Sequence, residues 1–150
     1  MNGLSIKRWI LLFLVFVGMV AAGIAVSADD DRVGDPNLDA VVAAPDSHRV
    51  LFENGRVRVL EVIIQPGERE PAHTHRWPSV MVGLEAARIR YYDAEGEMRF
   101  ETPEDRDLSG SDLGADWLGP EPLHSVENFD ERVFRALRVE LKSPGSASSS

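Results

Sequence analysis

The sequence predicts an all-β domain, a sandwich or a closed barrel, behind a separate N-terminal segment. Three observations carry this. Short runs rich in Val, Ile and Leu alternate in polarity, as half-buried strands do. Twelve glycines and nine prolines punctuate the chain at intervals close to strand length. No amphipathic helix longer than two turns is visible.

The N-terminal segment is distinct in composition. Lys7 and Arg8 are its only charges up to Ala28, and Trp9 to Val26 is apolar or Gly throughout. A small-x-small exit, Val26-Ser27-Ala28, precedes three aspartates. A basic start, an apolar run and such an exit make a secretory signal peptide over residues 1–28, with cleavage expected after Ala28. An uncleaved membrane anchor is the competing reading, because the run reaches the lower limit for spanning a bilayer. Either way the remaining chain is expected outside the cytoplasm, periplasmic or secreted.

Residues 29–45 hold five Asp and two Pro without periodicity and read as an extended lead-in. The body follows over 46–142. Arg56 to Ile64 alternates and is rich in β-branched residues, so it reads as a strand. Gln65-Pro-Gly-Glu68 is a turn. Pro78 to Leu84 and Ala87 to Tyr92 are further strands. Asp93-Ala-Glu-Gly96 is a hairpin turn into Met98 to Glu101. Residues 103–116 are polar and loop-like. His124 to Asn128 and Arg132 to Leu141 complete the set. In the last, Val133, Arg135, Leu137, Val139 and Leu141 oppose Phe134, Ala136, Arg138 and Glu140. Residues 143–150 read as a flexible tail.

Composition excludes several functions. The chain has 150 residues, one domain's worth, and no cysteine, so disulfides, thiolate metal sites and a cysteine nucleophile are ruled out. Its net charge is -9, and cleavage after Ala28 would remove two basic residues and no acidic one. Such a surface repels a phosphate backbone, so no nucleic-acid partner is expected. No Ser-His-Asp spacing, phosphate loop or Walker-type glycine run occurs.

Three of the four histidines form a candidate constellation. His73 and His75 follow the Pro66-Gly67 turn, and in an extended segment residues i and i+2 point the same way. His124 lies on another strand. Three imidazoles suffice to hold a transition metal and leave positions open. His48 stands alone before the barrel and reads as a surface residue.

The flanking residues give these histidines a family setting. Gly67, five residues, His73, one residue, His75 resembles the start of the first cupin motif. His124, three residues, Asn128 resembles the end of the second. The opening Val50-Leu-Phe-Glu-Asn-Gly-Arg-Val-Arg-Val-Leu-Glu-Val is similar to small single-domain cupins. The resemblance covers roughly 50–141 and implies a conserved, jelly-roll-like double-sheet β-barrel. It also implies metal ligands at His73, His75 and His124. The family's carboxylate position falls at Ser79 or Val80, neither a good substitute for Glu.

Ligands of this kind leave a divalent ion its full charge, which favours anionic, chelating molecules. Some cupin dioxygenases have a similar three-His site with iron. Imidazole equally suits Zn, Mn, Ni or Cu. The expected function is therefore metal binding in the barrel, with oxidation of a small anionic molecule in a dioxygenase-like reaction. The alternative is a non-catalytic module that binds or senses a metal or ligand. The expected partner is a small molecule, with a homodimer possible and a membrane only if the N-terminal segment is uncleaved. No catalytic base is identified.

Other residues have smaller roles. Trp77 and Pro78 would wall the barrel mouth or pack in the core. Glu68 and Glu70 would orient an imidazole or lie in a solvated loop. Arg88 and Arg90 share one strand face and would bind a carboxylate or face solvent. Asn128 reads as structural.

Overall fold

The computed structural model describes residues 31–106, 108 and 114–142. The expected signal segment and the tail lie outside them. A 3-10 turn at Asp31–Gly34 and one helical turn, α1 (Ala40–Ala43), lead into the strands. These are β1 (His48–Glu53), β2 (Val57–Ile64), β3 (His73–His75), β4 (Ser79–Glu85), β5 (Ile89–Tyr92), β6 (Met98–Glu101), β7 (Ala115–Leu118), β8 (Glu121–Asn128) and β9 (Phe134–Leu141).

Local chemistry accounts for the connections. In the β1–β2 hairpin, Asn54 Oδ1 accepts from the backbone N–H groups of Arg56 and Val57 at 2.8 and 2.9 Å. Asp93 does the same for the β5–β6 turn, accepting from Glu95 and Glu97, while Gly96 takes a φ of 80°. Gly67, after Pro66, has a φ of 74°, and its N–H donates to Asn128 O at 2.8 Å. Asn128 is structural, as expected: its Nδ2 donates to Ile64 O and Arg132 O.

The strands form two antiparallel sheets, in orders β1-β2-β9-β4-β7 and β3-β8-β5-β6. His48 on the first and His73 on the second have ring centroids only 4.5 Å apart, so the inner faces meet at the imidazoles. Leu60, Val62, Ile64 and Ala136 form the apolar part of this interior.

Two segments depart from the sequence expectation. The lead-in is not simply extended. Asp39 accepts from Val41 N at 3.2 Å and caps α1, and Thr74 N donates to Leu38 O at 2.7 Å, docking the segment on β3. Strand β7 begins inside the stretch read as loop, with Ala115 and Asp116 in it, and its four residues at a sheet edge gain order by pairing with β4.

The faces of β9 are inverted relative to simple polarity. Its buried side chains are Ala136, Arg138 and Glu140, whereas Leu137, Val139 and Leu141 are half-buried. Register carries the outer face across the whole sheet as one row, Phe52–Val59–Val139–Val80–Trp117.

Candidate metal centre

β3 is a short strand flanked by Pro71 and Pro78, and both its histidines are buried. His73 pairs with His124 across the sheet, but the register then slips, and His75 faces Glu121 where a regular ladder would place Pro122. Such a bulge redirects one side chain, and here it sets a carboxylate beside His75.

The expected ligands His73, His75 and His124 are neighbours. Ring centroids are 5.0 Å apart for His73 and His75, 4.5 Å for His73 and His124, and 5.7 Å for His75 and His124. The reading of His48 as a surface residue is corrected. It opens β1 opposite Val62, is 4% exposed, and lies 4.5 Å from His73 and 5.2 Å from His75. The β1–β2 pairing, invisible in local sequence, turns it inward.

Among the described residues, ligand atoms lying within 4.8 Å of one another define two sets, His48–His73–His75 and His75–Glu121–His124. Both contain His75.

Each imidazole is oriented through Nδ1. His73 donates to Pro71 O at 2.9 Å and His124 to Pro122 O at 2.8 Å, so the same Pro-x-His device occurs twice. His48 Nδ1 lies 3.3 Å from Ala44 O. His75 donates to Glu140 Oε1 at 2.8 Å. Carbonyl and carboxylate oxygens accept only, so on His73, His75 and His124 the proton sits on Nδ1 and Nε2 keeps its lone pair; His48 Nδ1 also lies 3.3 Å from the Ser47 hydroxyl, which can donate or accept.

Burial holds these rings neutral. It lowers the His48 pKa to about 4 and that of His73 to about 2, and it pulls His75 and His124 down as well. The charge of Arg138 adds to the lowering at each.

Carboxylates that the sequence left ambiguous are also resolved. Glu70 is buried, not in a solvated loop. Its Oε1 lies 3.8 Å from His73 Nε2 and its Oε2 3.8 Å from His48 Nδ1. Burial, partly offset by Ser47, pushes its pKa up to about 8. Glu140 bridges His75 to Arg58, whose Nε donates to Oε2 at 2.5 Å, and Arg58 grips Asp39 with Nη1 and Nη2 at 2.9 and 3.0 Å.

Elsewhere the candidates are otherwise engaged. Arg90 pairs with Glu101 at 2.6 Å, and Arg88 donates to Glu104 O. Trp77 is half-buried beneath Arg58, Arg76 and Lys142, 4.8 to 5.0 Å from its ring. Ser79, at the family's carboxylate position, is fully buried, and its hydroxyl has no hydrogen-bond partner among the described residues.

The donors present fit a divalent transition metal. The imidazoles are buried and burial favours their neutral form. His73 Nε2 and Glu70 Oε2 are buried without hydrogen-bond partners among the described residues. His48 and Glu121 were not legible as site residues, and Glu70 was legible only as one of two readings; the repeated Pro-x-His marks His73 and His124 alone.

No protein-family model and no curated protein matches the chain. Solved structures do. A cupin domain from Bordetella pertussis Tohama I superposes with a TM-score of 0.51 and 21% identity, over 64% of this chain and 92% of the other. A cupin-family protein of double-stranded β-helix fold from Methanocaldococcus jannaschii gives a TM-score of 0.46 and 10% identity, over 63% and 78%. The fold is that of a small cupin domain, with a buried histidine group that could hold a metal.

Proposed function

We propose that this chain is an exported cupin that binds one divalent transition metal on its buried imidazoles and uses it on a small anionic molecule. One observation carries the reading: the imidazoles of His73, His75 and His124 have Nδ1 engaged by accepting oxygens, and His73 Nε2 is buried without any hydrogen-bond partner among the described residues. His73 and His75 would be central, with His48 and His124 on either side. A divalent ion there would supply Lewis acidity and, for a redox metal, access to dioxygen.

The chain's own residues set the conditions. Asp39, Arg58 and Glu140 fix the tautomer of His75. The prolyl carbonyls fix His73 and His124. Burial raises the Glu70 carboxyl to about 8 in the metal-free protein, which favours its protonated form beside two imidazoles. The complete burial of His73 and His75 favours the second reading, a module that holds a metal or small ligand without turnover.

Elemental analysis of untagged protein is the test. One equivalent of transition metal supports the reading, and a metal-free protein that takes up none rejects it. Aerobic turnover with iron restored would separate enzyme from binding module. Export rests on residues 1–28, and N-terminal sequencing from the native host should begin at Asp29. Pairing of two copies, favoured by the half-exposed outer row ending in Phe52 and Trp117, would show in sedimentation.

A further inference from the structure

Arg138 is a buried cation only partly used. Its side chain is 4% exposed. Nη1 donates to Glu121 Oε2 at 2.5 Å, while Nε and Nη2 find no hydrogen-bond partner among the described residues. Glu140 Oε1 is 4.0 Å from Nε, beyond hydrogen-bond reach, and already accepts from His75, while Oε2 accepts from Arg58.

The two unused donors share one edge of the guanidinium. An Nε–Nη2 edge presents parallel N–H groups matched to a planar pair of oxygens. Elsewhere in the protein the same edge meets a carboxylate: Arg135 Nε and Nη2 both donate to Glu61 Oε1, at 2.9 and 2.5 Å. Both donor atoms of this edge are buried, and the charge of Arg138 reaches all four imidazoles. On the same inner face Met81 pairs with Arg138 and Ser79 with Glu140, and the Ser79 hydroxyl is also unpartnered among the described residues.

We propose that the Nε–Nη2 edge of Arg138 binds the carboxylate of a small organic acid seated against the imidazole cluster, with Ser79 Oγ donating to the same group. The inference rests on the proposed imidazole site for the ligand's place, and on Arg138 for its charge. A monocarboxylate fits better than phosphate, because Glu121 and Glu140 flank the guanidinium and repel a dianion.

The experiment is calorimetric titration of pyruvate, and of inorganic phosphate, into chelated and zinc-loaded protein. Wild type, Arg138→Met and Arg138→Lys are compared, with zinc content measured for each. Pyruvate should bind wild type in both forms. Arg138→Met should weaken it at least tenfold, and Arg138→Lys, which keeps charge but loses the edge, at least threefold, in the chelated protein as in the zinc-loaded one. Equal pyruvate affinity in wild type and Arg138→Lys, no pyruvate binding by wild type, or tighter Arg138-dependent binding of phosphate would overturn the proposal. Should Arg138→Met fail to fold by circular dichroism, Arg138→Lys decides alone. Failure of wild type to take up zinc sinks the metal reading only, since the chelated titration still decides the role of Arg138.

Discussion

His75 and Glu140, 65 residues apart and on different sheets, are joined by a 2.8 Å hydrogen bond at the centre of the fold. It continues through Arg58 to Asp39, so the lead-in, the large sheet and the imidazole cluster share one buried network.

Glu140→Gln should therefore cost both stability and metal affinity. Removing one partner of a buried ion pair costs about 3–5 kcal/mol, and the grip of Arg58 on Asp39 puts this variant at the low end. Loss of a group that orients a ligating histidine weakens metal binding roughly 10–100-fold. Urea denaturation and competitive chelation measure the two. A variant unchanged in both would show the network to be incidental.

His48→Ala and His124→Ala separate the two ligand sets. If the ion sits on His48–His73–His75, His48→Ala lowers metal content as sharply as His73→Ala, and His124→Ala does less. On His75–Glu121–His124 the order reverses. His75→Ala should empty either. Glu95→Ala, in the exposed β5–β6 turn, is the unaffected control. Retention of full metal by His75→Ala would exclude both sets.

The metal-free protein should be acid-labile. His48 and His73 titrate near 4 and 2 in the fold against 6.5 ordinarily, and His75 and His124 are lowered too. Below pH 6.5 the unfolded chain binds more protons, so stability present above that pH is lost as pH falls, at about 1.4 kcal/mol per pH unit for each proton of difference. Glu70 acts oppositely: raised from 4.5 to about 8, it favours the fold as pH falls through that window. Burial raises Glu140 in the same sense, and the two carboxyls are outweighed by four imidazoles. Denaturant midpoints in EDTA should drop between pH 7 and 5.5, and an unchanged or higher midpoint at 5.5 would contradict the burial argument.

Gly67→Ala should destabilise the fold by about 1–2 kcal/mol, since its φ of 74° is left-handed. No atom within 4 Å obstructs a new Cβ, so the cost is conformational. Gly55→Ala, also unobstructed and without that φ, should change the urea midpoint little. Equal effects would mean the turn relaxes.

Much of this protein is legible in sequence because strand signals are local. The β-branched alternation of 56–64, the Asp93 to Gly96 turn and the His73-Thr-His75 pair depend on near neighbours, and all appear where expected. The motif spacing also brings His124 to His73, because both lie on strands whose pairing follows from the barrel. What alternation does not reveal is which face turns inward. Both faces of β9 carry apolar residues, and the inward one holds Arg138 and Glu140. Buried charges are stable only with partners, and these come from Arg58 and Glu121 on other strands. His48 is likewise indistinguishable from a surface histidine until β1 pairs with β2, and Glu70 from a solvated glutamate until it packs under His48 and His73. Secondary structure and the motif histidines were set by short-range pattern. The charged interior, the second pair of candidate ligands and the open edge of Arg138 were decided by tertiary contacts, because the burial of polar groups depends on residues distant in the chain.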